Sequence, residues 1–225
     1  RWDGGFLTVR KILAEKMLGR VVEFELHYDR YRNYIQPGTW KEQEDLGTGI
    51  LYNLGSHMLD QVLVLFGKPE YADARMGIQR TGGKVMDNYD IRLEYNGMQV
   101  IVKSSYLVRE PGPMYRINGT DGSFVKFGID PQEQALKEKR VPGTPGWGTE
   151  TKEWWGKINA CIGGVNVEAA VETLPGNYLA FYDNLFEAIR SGSELAVKPE
   201  ESANVIKLIE ACIESSKTRR AVKTG

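Results

Sequence analysis

Three polar residues, Asn53, His57 and Asp60, have the types and the spacing that acid–base chemistry needs. The i, i+4, i+7 spacing places all three on one face of a helix, away from the apolar residues that would pack inward. A histidine exchanges protons near neutral pH and needs a hydrogen-bonded partner to fix its tautomer. Asn53 or Asp60 could be that partner, so the pattern predicts a general acid or base at His57.

Structural alternatives exist for both histidines of the chain. Asn53 could be the N-cap of the helix, and His57 could be a partly buried packing residue. His27 lies on the polar side of a predicted strand, where it could simply be an exposed strand residue. Spacing alone leaves these alternatives open.

A polar segment with aromatic residues, from Tyr31 to Leu46, lacks the periodicity of a helix or a strand. We call residues 31–46 the aromatic loop. Loops of this length are often binding elements or lids, so Tyr34 and Trp40 are candidate substrate-binding residues. Tryptophan more often covers a core or a surface, and that role also stays open.

Periodicity predicts helices on both sides of the candidate residues. Helical patterns run from Asp3, as N-cap, towards Gly19, then from Leu54 to Phe66, and twice near the C-terminus. The first of the two C-terminal helices, capped by Asn177, is expected to turn an apolar stripe inward, namely Tyr178, Tyr182, Leu185, Phe186 and Ile189.

Alternation of apolar and polar residues predicts several strands between residues 22 and 127. Asn96-Gly97 predicts a hairpin with a type I′ turn, in which both central residues need positive φ. Residues 131–175 show little pattern. Strands in sequence, bracketed by helices, predict an α+β fold with a largely antiparallel sheet.

The composition is ordinary for a folded globular protein. The 29 basic and 30 acidic residues leave a net charge of −1, which does not indicate a nucleic-acid partner or an anionic membrane surface. No apolar run approaches the roughly 20 residues that span a bilayer. Cys161 and Cys212 form no CxxC pair, so we expect reduced thiols in a cytoplasmic protein.

The sequence contains no dinucleotide-binding fingerprint, which is a G-x-G-x-x-G turn between a strand and a helix. The nearest candidate, Gly47-Thr48-Gly49, lacks the third glycine and follows no predicted strand. Phosphate-loop, zinc-protease and serine-hydrolase motifs are also absent from the sequence, and no metal site is expected. Because the chain opens on Arg1-Trp2-Asp3 without a methionine, we expect that an upstream segment has been removed.

Several segments resemble the glucose–fructose oxidoreductase / inositol dehydrogenase / rhizopine-catabolism (Gfo/Idh/MocA) family. Residues 49–61 (GILYNLGSHMLDQ) resemble its catalytic-helix segment, and residues 1–9 (RWDGGFLTV) look like the entry into its C-terminal domain. Shorter similar segments follow in the family's order, at residues 119–124, 130–133, 146–148 and 178–189. The resemblance therefore covers essentially the whole chain.

The resemblance implies that residues 1–225 are the C-terminal half of a two-domain enzyme. This half would be a single substrate-binding and oligomerisation domain, with an open mixed sheet and helices on one face. An N-terminal Rossmann half, absent from the chain, would bind NAD or NADP, so residues 1–225 alone are expected to be inactive. The implied substrate is a sugar or polyol, and the other sheet face would join homodimers or homotetramers.

The resemblance also implies roles for the candidate residues. The family's catalytic helix carries Asp-x-x-x-His, in which His57 matches the histidine and Asn53 occupies the aspartate position. His57 would remove the proton of a substrate hydroxyl, Asp60 would orient His57, and Tyr34 and Trp40 would contact the substrate. An amide cannot stabilise an imidazolium by charge, an effect of about 1–2 kcal/mol in a partly buried site.

Two further functions fit the same sequence. The chain could be an assembly module that pairs through its sheet face, with vestigial catalysis, as Asn53 and the missing fingerprint suggest. It could also be a standalone carbohydrate-binding domain that uses the aromatic loop.

Overall fold

The computed structural model describes residues 1–224, which form five α-helices and nine strands. The helices are α1 (Gly4–Ala14), α2 (Ser56–Phe66), α3 (Pro131–Lys137), α4 (Leu179–Ser191) and α5 (Pro199–Thr218). The strands are β1 (Val21–His27), β2 (Tyr71–Gly77), β3 (Asn88–Tyr95), β4 (Met98–Ser105), β5 (Tyr115–Gly119), β6 (Gly122–Lys126), β7 (Gly156–Ile162), β8 (Val165–Val171) and β9 (Val222–Lys223).

The nine strands of residues 1–224 belong to one open mixed sheet, in the order β8-β7-β6-β5-β1-β4-β3-β2-β9. β1 and β4 run parallel. The pairs β2–β3, β2–β9, β3–β4, β6–β7 and β7–β8 are antiparallel. The predicted α+β fold with an open, largely antiparallel mixed sheet is therefore confirmed.

The chain divides into two compact units. The first consists of residues 1–20 and 118–199, and the second of residues 21–117 and the residues from 200 onward. Each unit contains fully buried apolar side chains, such as Phe6 and Phe124 in the first and Phe24 and Ile91 in the second. The interpretation of residues 1–225 as a single domain stays a prediction.

In the second unit, the central residues of β1 alternate as predicted. Phe24 and Leu26 of β1 are fully buried between polar neighbours that are only half-buried. Buried side chains from α2 and α5 complete this core: Met58, Leu59, Val62, Leu208, Ile209 and Cys212. The hydroxyls of Ser215 and Ser216 accept hydrogen bonds from backbone N–H groups of β2, at 2.9 and 3.1 Å. These bonds occupy donors that a strand near the sheet edge would otherwise leave unpaired.

The hairpin at Asn96-Gly97 forms, but its turn differs from the prediction. Tyr95 and Met98 pair at its base, which leaves the two predicted residues as the loop. Gly97 has a φ of 71°, whereas the φ of Asn96 is not positive. Because a type I′ turn needs positive φ at both positions, the predicted turn type is wrong.

In the first unit, Asp3 caps α1 as predicted, because its carboxylate accepts a hydrogen bond from the N–H of Phe6 at 2.9 Å. The helix ends at Ala14 instead of continuing to Gly19, since residues 15–18 form turns. Residues 131–175, which showed little pattern, contain α3, β7 and β8. Each of these elements is seven residues long, which leaves few repeats for periodicity to be recognised.

The apolar stripe of α4 does not face inward, so that prediction is wrong. Tyr182, Phe186 and Ile189 are 63%, 55% and 79% exposed, and no residue of the helix is buried. The predicted cap at Asn177 is also wrong, because Tyr178 occupies the cap position without a side-chain hydrogen bond. Periodicity identifies an apolar face but does not say what covers it. A cluster of exposed apolar side chains marks an interaction surface.

The helices formed by residues 1–224 include none that is both long enough and apolar enough to cross a membrane.

Candidate active site

The helix that carries Asn53, His57 and Asp60 begins earlier than predicted. Gly49 and Ile50 are already helical, Leu51–Gly55 forms a π-helical turn, and α2 continues from Ser56. Asn53 lies inside the π turn, so the interpretation of this residue as the N-cap is wrong. A π turn widens the helix locally and occurs frequently at functional sites.

The three candidate residues differ in exposure. His57 is exposed, while Asn53 and Asp60 are half-buried. The packing is done by Met58 and Leu59, the two residues that follow the histidine, which are 2% and 0% exposed. His57 is therefore not a packing residue, and its imidazole can be reached from solvent.

The side chain of Asn53 points to Tyr106. Its amide nitrogen Nδ2 donates a hydrogen bond to the Tyr106 hydroxyl oxygen at 3.5 Å. Tyr106 is 6% exposed, and the guanidinium carbons of Arg80 and Arg32 lie 4.6 and 5.6 Å from the centre of its ring. Tyr106 thus connects the helix of the candidate residues with two cationic side chains that sequence patterns did not single out.

The aromatic loop exposes both of its predicted substrate-binding residues. Tyr34 is 59% exposed and Trp40 is 54% exposed. Trp40 begins a short 3-10 turn that ends at Glu42, and the hydroxyl of Thr39 accepts the N–H of Lys41 at its start. Both rings are accessible to a small molecule, as a binding role requires.

Arg80 forms a buried ion cluster with Glu42 and Asp87, which we call the Arg80 bridge. Its nitrogens Nη1 and Nη2 donate to the two carboxylate oxygens of Glu42 at 2.9 and 2.8 Å, and Nε donates to Asp87 Oδ2 at 3.0 Å. A further bond runs from Nη1 to the backbone carbonyl of Tyr34 at 2.8 Å. The side chains of Arg80 and Asp87 are each 1% exposed. The bridge therefore joins the aromatic loop to the segments that lead out of β2 and into β3.

Burial opposes the charge on Arg80, but its hydrogen bonds to Glu42 and Asp87 outweigh burial and raise the pKa of the guanidinium. The sequence contains no signal for this cluster. Glu42 lies 38 residues before Arg80 in the chain, and a buried ion cluster has no fixed spacing in sequence.

His27, the second histidine, lies on β1 between two acidic residues. Its Nε2 is 3.7 Å from Glu25 Oε2, and its Nδ1 is 3.6 Å from Asp29 Oδ2. The side chain of His27 is 22% exposed, less than expected for an exposed strand residue. Both distances are longer than a hydrogen bond. The two contacts are ion pairs only when the imidazole is protonated.

A second buried polar cluster lies in the first unit, at the start of α1. The carboxylate of Asp130 accepts hydrogen bonds from the backbone N–H groups of Gly4 at 2.7 Å and of Gln132 at 2.9 Å. Burial, together with repulsion from Asp130, raises the pKa of Asp3 to about 6. Burial likewise raises the pKa of Asp130. The free energy of unfolding should therefore depend on pH in the mildly acidic range.

Within residues 1–224, no three His, Cys, Asp or Glu side chains come together as a set of metal ligands. The residues that the structure describes contain no G-x-G-x-x-G turn. β6 and α3 form a strand–turn–helix unit, but its turn contains the single glycine Gly128 where a dinucleotide turn needs three.

Comparison with known proteins identifies similar chains. A sequence model described as "Oxidoreductase family, C-terminal alpha/beta domain" (GFO_IDH_MocA_C) matches residues 10–224. The scyllo-inositol 2-dehydrogenase (NADP(+)) IolW of Bacillus subtilis is 40% identical over 99% of this chain and 62% of its own length. The uncharacterized oxidoreductase YdgJ of Escherichia coli is 37% identical over 97% of this chain and 62% of its own length.

Solved structures agree with these matches. The oxidoreductase yvaA of Bacillus subtilis has a TM-score of 0.95 at 39% identity, over all of this chain and 64% of that one. An oxidoreductase from Agrobacterium radiobacter, solved with NAD+, L-tartaric acid and magnesium, has a TM-score of 0.74 at 17% identity and shows the fold alone. The chain thus spans about three fifths of the length of these curated relatives.

Proposed function

This chain belongs to the Gfo/Idh/MocA oxidoreductase family, and from that membership we propose that it is the substrate-side half of an NAD(P)-dependent oxidoreductase. The substrate is a polyol, a sugar or a related hydroxyl compound. The observation that carries this proposal is the exposed His57 on a helix whose π turn holds Asn53. The similarity to a relative named a scyllo-inositol 2-dehydrogenase supports a polyol substrate.

His57 is proposed as the general base. It removes the proton of a substrate hydroxyl, and Asp60, one turn further along α2, orients the imidazole. The hydride that leaves the same carbon would be taken up by NAD or NADP bound mainly to another portion of the protein, because this sequence contains no G-x-G-x-x-G fingerprint. Without that portion, residues 1–225 bind substrate but do not turn it over.

The aromatic loop is proposed to bind the substrate. An exposed indole such as that of Trp40 can cover the apolar face of a sugar or inositol ring, and the hydroxyl of Tyr34 can donate to or accept from the ring hydroxyls. Both side chains are more than half exposed, which leaves room for such contacts. In this proposal Tyr34 and Trp40 select the substrate, and His57 carries out the proton transfer.

The oligomeric state of the protein is also proposed. We propose a homodimer or homotetramer that forms through the face of the sheet on which Asp90, Arg92 and Lys103 lie. This face is polar, and Lys103 Nζ pairs with Asp90 Oδ2 at 3.0 Å, so a partner would have to satisfy charged groups.

A cytoplasmic location is supported by the cysteines, because Cys161 and Cys212 are both free thiols.

The proposal is tested with the intact oxidoreductase, scyllo-inositol and other polyols, and either NAD+ or NADP+. Reduction of the nicotinamide that depends on the polyol is the expected result. Residues 1–225 alone should give no reduction. Failure of every polyol and monosaccharide to support reduction with either cofactor would rule out the proposed reaction.

A second function, that of an assembly module, is favoured by one observation: the exposed apolar side chains of α4. If assembly were the main role, residues 1–225 alone would form a defined oligomer and the intact protein would lack turnover. Both functions predict an oligomer in size-exclusion chromatography, so the assay above distinguishes them, because only the oxidoreductase turns over the added polyol.

A further inference from the structure

The Arg80 bridge holds the aromatic loop on both sides of Trp40. On one side, Arg80 donates to the backbone carbonyl of Tyr34 at 2.8 Å. On the other side, it binds the carboxylate of Glu42 through two bonds of 2.9 and 2.8 Å. Residues 34–42 are thus closed into a loop by one side chain, with the exposed indole between the two attachment points.

The base of the bridge is fixed by the sheet. Asp87, which accepts the Nε of Arg80, also accepts the backbone N–H groups of Gln79 at 2.7 Å and of Arg80 at 2.9 Å. The carbonyl of Asp87 in turn accepts the N–H of Tyr106 at 3.1 Å. Because the ring of Tyr106 lies under the guanidinium and its hydroxyl accepts from Asn53, the bridge reaches the helix that carries His57.

The geometry cannot be reproduced by another cation. Glu42 is held by two parallel N–H bonds, which a planar guanidinium provides and a lysine ammonium does not. The Arg80 side chain is 1% exposed, so it has no room to exchange these partners for water. The aromatic loop is therefore held in a preformed shape.

We propose that Arg80 is a positioning residue for substrate recognition: through Glu42 it holds Trp40 in the conformation that binds the ring of the substrate. This inference rests on the proposed function, because it presupposes that Trp40 contacts the substrate. A preformed loop contributes to binding of the ground state and of the transition state equally. Loss of the bridge therefore raises KM and leaves kcat nearly unchanged.

The test uses Glu42→Gln in the intact oxidoreductase. This change keeps the size of the side chain and leaves Arg80 paired with Asp87, so no buried charge loses all its partners. The matched control is Glu44→Gln, the same change at an exposed glutamate of the same loop. Steady-state kinetics with scyllo-inositol and NADP+ are combined with hydrogen exchange of the amides of residues 34–42.

For Glu42→Gln we expect KM for the polyol to rise about tenfold, with kcat within about twofold of the wild type and faster amide exchange in residues 34–42. Glu44→Gln should match the wild type. An active wild type in which both variants have the same KM overturns the role of Arg80 and leaves the proposed function standing. A wild type that oxidises no polyol overturns the proposed function, and the positioning role falls with it.

Discussion

The side-chain amide of Asn53 donates a hydrogen bond to the hydroxyl oxygen of Tyr106 at 3.5 Å. An aspartate, the residue that the family pattern has at this position, would reverse the bond, because a carboxylate only accepts. In this chain the group four residues before His57 is therefore neutral, and it is oriented by a buried tyrosine instead of serving as a counter-ion.

Asn53→Asp is expected to increase kcat of the intact oxidoreductase. The carboxylate would stabilise the imidazolium that His57 becomes after it takes the proton, by about 1–2 kcal/mol, which corresponds to roughly five- to thirtyfold in rate. Steady-state kcat with scyllo-inositol checks this, with Asn184→Asp on α4 as a control for the same change elsewhere. A lower kcat for Asn53→Asp than for the wild type would mean that the amide is required.

The buried carboxylates at the start of α1 predict how stability depends on pH. The pKa of Asp3 is raised from 3.8 to about 6 in the folded protein, so the folded state binds more protons than the unfolded state between these values. The free energy of unfolding therefore falls as pH rises through this window. Above the window, the stability that proton binding by Asp3 contributes is fully lost. Denaturant unfolding at pH 4.5 to 7 measures the slope.

Asp3→Asn should flatten this slope and make the protein more stable near neutral pH, because an asparagine still caps α1 and needs no proton. Asp183→Asn, at an exposed position of α4, is the control and should leave the slope as it is. An unchanged slope in Asp3→Asn would contradict the assignment of the proton uptake to this residue.

The exposure of α4 predicts a difference between two isoleucine substitutions. Ile189→Ser on α4 should change the free energy of unfolding by no more than about 0.5 kcal/mol, because this side chain is 79% exposed. Ile209→Ser on α5, at a fully buried position, should destabilise by about 2–5 kcal/mol. Denaturant unfolding of both variants of residues 1–225 measures the difference, and equal destabilisation would show that the α4 face is covered.

Local patterns were enough to predict most of the fold. The alternation in β1, the cap at Asp3 and the hairpin at Asn96-Gly97 are properties of neighbouring residues, and the structure has all three. A sequence pattern does not show which part of the protein packs against an apolar helix face. The stripe of α4 looks the same in sequence whether it is buried or exposed, so its orientation was predicted wrongly.

The candidate site was predictable only in part, for the same reason. His57 stands out because histidines are rare in this chain and titrate near neutral pH, and its helix follows from periodicity. Periodicity does not predict the π turn that contains Asn53. The bridge of Arg80 with Glu42 depends on contacts between distant segments. Such contacts leave no mark in the spacing of the residues.

The proton transfer at His57 is tested most directly by His57→Ala in the intact oxidoreductase, assayed with scyllo-inositol and NADP+. His27→Ala, at the other histidine, is the matched control. We expect His57→Ala to lower kcat/KM by about 10²–10⁴-fold, while His27→Ala stays close to the wild type. Equal activity of the two variants would contradict the assignment of His57 as the general base.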